Sequence, residues 1–190
     1  MFIGKVFPGA GLILEKDKKV LMALILRLNH IRWELPAGRA KAGEAMTDTA
    51  VREGLEETYL LIQPIRPVGV CWHYSHKRRA GWYGLFFSAT TSDSENKIPA
   101  QKRLENFNFD ALRRKEQQGA IEEMRKEAKR EDILAVGFVD WRIIDERRIH
   151  PLHYHLLEEY DDKTQNDLIF VAGDGEQDYV DYSVDVPIYL

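Results

Sequence analysis

The sequence predicts a single α/β domain over residues 1–190, and three observations carry that expectation. Apolar and aromatic runs suited to strands, at 11–14, 20–26, 68–74, 82–90 and 133–141, are interspersed with segments of helical periodicity. With 190 residues, 44% of them hydrophobic, the chain can bury one sizeable core and is short for two. Between the second and third runs lies an acid-rich stretch that reads as a helix entered through a turn containing Pro36 and Gly38.

The first two runs flank Lys16-Asp17-Lys18-Lys19, a polar tetrad of the kind that closes a hairpin. Trp33-Glu34-Leu35-Pro36-Ala37-Gly38 then ends a strand-like stretch, and Gly38 permits a close backbone approach that a Cβ would hinder. In the helix that follows, each residue advances by ~100°, so Glu53, Glu56 and Glu57 occupy an arc of roughly 100°. Three like charges so placed call for a cation, and oxygen-only ligation favours Mg²⁺ or Mn²⁺ over zinc. Arg52, beside Glu53 and one turn before Glu56, can hold a carboxylate in its guanidinium fork. Val51 and Leu55 lie on the far side of this helix from Glu53 and are expected to face the core.

Beyond the helix, 68–74 and 82–90 read as a hairpin whose turn, His76 to Gly81, contains Arg78 and Arg79. These two could reach a substrate phosphate, although basic turns are commonly just solvated. Trp72, Tyr74, Trp82 and Tyr83 could stack on a base, but core packing is the default for strand aromatics. A charged stretch with Ile121, Met124 and Ala128 at helical spacing suggests a helical insertion at about 100–132. A solvated amphipathic helix is favoured there over a lid or a homodimer contact. A strand at 133–141 and a helix from Pro151 to Tyr160 follow. His150, His153 and His155 lack a third ligand at a matching offset and are expected to be solvated. The acids Asp174, Glu176 and Asp178 lack EF-hand spacing and suit a surface turn.

Composition narrows the function classes. A formal net charge of −4 provides no general attraction for nucleic acid, so a phosphate-bearing small molecule would have to be met locally. The early apolar run 20–26 is far too short to span a bilayer, and no basic segment precedes it as in a signal peptide, so a cytoplasmic, membrane-free protein is expected. The lone Cys71 cannot form an internal disulfide and reads as a buried structural thiol.

The spacing Gly38, five residues, Glu44, seven residues, Arg52-Glu53, two residues, Glu56-Glu57 resembles the Nudix box of the Nudix hydrolases. The resemblance covers about the first 90 residues well and the remainder loosely. It implies an α/β/α sandwich on a mixed sheet and metal-dependent hydrolysis of a nucleoside diphosphate linked to another moiety. Carried over by position, it implies that Glu53, Glu56, Glu57 and the Ala37 carbonyl bind metal, that Arg52 and Glu44 support them, and that Gly38 shapes the loop. The general base would be Glu53 or a late-loop acid, Glu131 or Asp132. The run Trp33 to Gly38 looks more like that of ADP-ribose-type members than of triphosphate-cleaning ones. A triphosphate pyrophosphohydrolase and a non-catalytic nucleotide sensor are the alternatives. Two positions depart from the pattern: Gly54 replaces an aliphatic residue, so a neighbour must fill its space, and Tyr59 replaces a helix-ending glycine.

Overall fold

A computed structural model describes residues 5–27, 30–75, 80–118, 131–162 and 168–173. The chain forms β1 (Lys5–Ile13), β2 (Glu15–Lys16), β3 (Lys19–Arg27), β4 (His30–Glu34), β5 (Ala37–Arg39), α1 (Met46–Thr58), β6 (Gln63–Ser75) and β7 (Ala80–Thr90). It continues with α2 (Phe109–Gln117), β8 (Glu131–Val139), α3 (Pro151–Asp162) and β9 (Ile169–Gly173). Several single turns of 3₁₀ helix connect these elements.

β3 shows how the layers are organised. Its residues Val20 to Leu26 are all buried, because the strand has a helix-covered core on each face. Val20, Met22, Leu24 and Leu26 enter one apolar cluster, shared with Trp33, Phe86, Cys71 and the α3 residues Leu152, Leu156 and Leu157. Leu21, Ala23 and Ile25 enter the other, shared with Leu12, Ile62, Phe87 and Ala50 of α1. The period-2 alternation thus sorts one strand's side chains between two cores, with α1 and α3 on opposite sides of the β layer.

That layer comprises two sheets. One has the order β5-β1-β7-β6-β9 and is mixed: β1 is parallel to β7 and β6 to β9, while the other pairs are antiparallel. In the other, β3 pairs antiparallel with β2, β4 and β8. The expected hairpin is present, but its first arm is β2; β1 leaves for the other sheet just before it. Asp17 and Lys18 both have positive φ, 52° and 61°, as a two-residue turn matched to strand twist requires.

The structure corrects several expectations. Leu55 is 47% exposed and Val51 half-buried, so the packed face of α1 is formed instead by Ala50, Gly54, Glu57 and Thr58. Small residues let the helix approach β1 closely: a Cβ on Gly54 would lie 2.8 Å from Leu12 Cδ1, so Leu12 is the neighbour that fills the space. Tyr59 takes the left-handed conformation in place of glycine, with φ 64°, and its N–H donates to the Leu55 carbonyl. Trp72 is 37% exposed and is no core residue, whereas Trp82 packs edge-on against Phe86. Cys71 is buried as expected, and burial pushes its thiol up to about 12. Of the charged insertion, 100–118 holds two 3₁₀ turns and α2, while Ile121, Met124 and Ala128 lie outside the described residues, as do Asp174, Glu176 and Asp178. No helix among the described residues is long and apolar enough to cross a membrane.

Candidate active site

α1 and the β4–β5 connection meet along β1. The pairing of β1 with β5 sets Ala10 opposite Gly38 and Gly11 opposite Ala37, and the Leu12 N–H donates to the Pro36 carbonyl at 2.9 Å. Because α1 rests on Leu12 from above, its acids face this loop. The Ala37 N–H donates to Glu57 Oε2 at 3.0 Å. Gly38 lies so close to Glu53 that a Cβ there would overlap the carboxyl group, which accounts for a glycine at this position.

Arg52 organises the other acids. Its Nε and Nη2 donate to the two Glu44 oxygens at 2.7 and 2.9 Å, a fork-to-fork pair. Nη1 lies 2.5 Å from Glu53 Oε1 and 3.4 Å from Glu56 Oε2, and Nη2 also donates to the Arg39 carbonyl at 2.9 Å. Glu44 accepts further from the Lys41 N–H at 2.8 Å and the Thr49 hydroxyl at 2.9 Å. The Arg52 hydrogen bonds, followed by that from Lys41, hold the Glu44 carboxyl down at about 2, and Glu44 in turn raises the affinity of Arg52 for its proton. Arg52 and Glu44 therefore form a permanently charged brace that aims Glu53 and Glu56.

Glu57 differs from its neighbours in being buried, 6% exposed, with Arg27 Nη2 3.8 Å from its second oxygen. Arg27 also donates to Glu34 Oε1 at 3.0 Å, and Glu34 is itself buried. Sequence reasoning missed this Arg27–Glu34–Glu57 group; the available signal was that β3 and β4 each end on a charged residue, Arg27 and Glu34. It missed His153 as well. Far from being solvated, His153 is 4% exposed and accepts the Leu35 N–H at Nδ1, 3.0 Å away. His150 lies against it with 4.6 Å between ring centroids, while His155, on the exposed side of α3, contacts Glu158 at 3.1 Å.

Glu44, Arg52, Glu53, Glu56, Glu57, Ala37 and Gly38 are thus gathered in one place. Glu131 and Asp132 open β8. The Glu131 backbone is paired with Arg27, which brings it to this end of the sheet; its side chain lies outside the described residues. Asp132 Oδ1 is 3.0 Å from Lys102 Nζ, so this carboxylate already has a cationic partner. Arg78 and Arg79 are outside the described residues.

The donors at α1 and the loop are carboxylate and carbonyl oxygens, the set that suits a hard divalent cation. The cradle left by the absent Gly38 Cβ fits that reading, since it lets the Glu53 carboxylate lie against the loop backbone. Among the described residues no three of His, Cys, Asp or Glu form a closed metal cage. Glu53 is instead engaged by Arg52, and Glu57 by the Ala37 N–H and Arg27.

Known proteins share the family and the fold. The family model described as NUDIX domain matches residues 6–130. A NUDIX hydrolase from Nitrosomonas europaea is 16% identical, with a TM-score of 0.54 over 91% of this chain and 81% of that one. A MutT protein from Methanosarcina mazei Go1 is 12% identical, with a TM-score of 0.56 over 85% and 96% of the two chains. An ADP-ribose pyrophosphatase from Streptococcus suis 89-1591 is 14% identical, with a TM-score of 0.50 over 86% and 98%. At such identities the likeness concerns the fold. No curated protein matches the chain.

Proposed function

From the premise that the chain belongs to the Nudix family of pyrophosphohydrolases, we propose that it hydrolyses the phosphoanhydride of a nucleoside diphosphate linked to a further group, an ADP-ribose-like molecule, with Mg²⁺ or Mn²⁺. The observation that carries the reading is the Arg52 fork, which clamps Glu44 and reaches Glu53 and Glu56 beside a loop that Gly38 lets in.

Glu53, Glu56, Glu57 and the Ala37 carbonyl would hold the divalent ions. When bound, such ions supply charge neutralisation at the diphosphate oxygens and a more acidic water. The chain's own part is orientation. Arg52 aims Glu53 while remaining charged; the Ala37 N–H fixes one Glu57 oxygen and leaves the other toward Arg27. A general base must reach the attacking water. Glu53 is the candidate on α1, because it lies on the loop-facing side among the proposed metal donors, whereas Asp132 opens β8 beside Lys102. Glu131, opposite Arg27, is the loop candidate. Glu53→Gln is expected to weaken both kcat and metal affinity, and Glu131→Gln kcat alone if Glu131 is the base.

The ADP-ribose preference rests on the run Trp33 to Gly38, together with the shared fold of the Streptococcus suis pyrophosphatase. It is tested by following nucleoside monophosphate formation from a panel of nucleotide sugars, dinucleotides and triphosphates with each metal. ADP-ribose or a related diphosphate derivative should show the highest kcat/KM. A triphosphate at the head of the panel would favour the triphosphate pyrophosphohydrolase, and binding without any turnover the sensor.

A further inference from the structure

His153 lies beyond the matched segment 6–130, yet it touches the back of the loop on which the site is built. The chain ahead of α3 runs alongside β4: Ile149 bridges to Trp33, and the His150 N–H donates to the Trp33 carbonyl at 3.0 Å. One turn later the Leu35 N–H donates to His153 Nδ1 at 3.0 Å. The imidazole is sealed by the Phe86 ring edge, 5.4 Å between centroids, and by His150. Burial, followed by the nearby His150 and Arg27, holds its basicity well below that of a free histidine, so Nδ1 keeps its lone pair as an acceptor.

Successive backbone groups of this loop are therefore anchored to three different elements. The Leu35 N–H goes to α3, the Pro36 carbonyl to β1, and the Ala37 N–H to Glu57 of α1. Pro36 has no N–H and a fixed φ, so the segment between the anchors has little freedom to absorb a displacement. If the first anchor is lost, a buried N–H is left without its acceptor and the loop must shift to satisfy it.

We propose that His153 is a positioning residue of the active site, fixing through Nδ1 the backbone from Leu35 to Gly38 and hence the Ala37 carbonyl and Glu57. The inference rests on the reading of those groups as metal donors. Its test is therefore Mn²⁺ binding by titration calorimetry, measured without substrate alongside kcat and the thermal midpoint. His153→Asn retains an oxygen acceptor near the place of Nδ1; His153→Leu removes it; His153→Gln carries its acceptor farther out, near the place of Nε2. His153→Leu should weaken Mn²⁺ binding by about 10-fold or more and lower kcat similarly, and His153→Asn should restore both to within about 3-fold. Leu156→Ala, in the fully buried core of the same helix, should lower the thermal midpoint with Mn²⁺ affinity unchanged.

Wild-type Mn²⁺ affinity in folded His153→Leu overturns the proposal, as does equal weakening in Leu156→Ala. If His153→Leu fails to fold, Asn against Gln decides: retention by Asn alone supports the proposal, and equal affinity overturns it. Wild-type protein that binds Mn²⁺ but hydrolyses nothing refutes the hydrolase reading while the binding comparison still stands. Wild-type protein that does not bind Mn²⁺ overturns both.

Discussion

The loop from Leu35 to Gly38 is held from two sides by opposite physical means. On the α1 side, Arg52, Glu44, Glu53 and Glu56 form a charged, partly hydrated network. On the α3 side, a buried histidine accepts one backbone N–H among aromatic rings. Charged groups near water can exchange partners at modest cost, whereas a buried neutral hydrogen bond is costly to break. The comparison teaches a division of labour: one side can rearrange around ligands, and the other fixes the register of the backbone.

The largest expected effect comes from disabling the buried acid that holds the Ala37 N–H. Glu57→Gln should lower kcat by about 100-fold or more with the fold intact, and removal of divalent metal by EDTA should abolish turnover. Full activity in either experiment would end the metal reading. Gly38→Ala should cost about 10-fold to 100-fold in kcat, because the added methyl must displace the Glu53 carboxyl; an unchanged kcat would show that the contact is dispensable.

Glu44 on the α1 side and His30, at the start of β4, should also separate on the pH axis. The folded-state pKa of Glu44 is depressed to about 2 from an ordinary 4.5. Its stabilising contribution is therefore complete above about 4.5 and is lost as pH falls toward about 2. His30, beside Arg32 and Arg27, is lowered to about 4 from 6.5, chiefly by burial. Between these values the unfolded chain binds the proton more tightly, so stability drops as pH falls from about 6.5 to about 4. Thermal midpoints of Glu44→Gln and His30→Asn against pH should each flatten their own window and leave the other. The smallest effect serves as a control remote from both sides: Lys18→Gly, at φ 61°, should stabilise by about 0.5–1 kcal/mol without altering kcat.

Much of this architecture is legible in the chain. The apolar run Val20 to Leu26 marks a strand, and the residues spaced from Gly38 to Glu57 lie together in space. The packed face of α1 was not legible, because hydrophobicity pointed to Val51 and Leu55 while close approach depends on the small residues Ala50 and Gly54. Nor was His153, whose partner is a main-chain N–H 118 positions away; a pattern of side chains carries no record of such a pairing. Tyr59 escaped for a third reason: its strained φ is sustained by tertiary packing in the α1 core, which outweighs the local preference for glycine.

Leu12 joins the loop and the helix in a way that makes their spacing a shared quantity. Its N–H holds Pro36 and its side chain fills the hollow at Gly54, so the gap between acids and loop is set by the length of one aliphatic branch. Positions 12 and 54 partition a fixed volume. Bulk added at 54 must be removed at 12, or the helix is lifted and the distance from Glu57 to Ala37 grows with it.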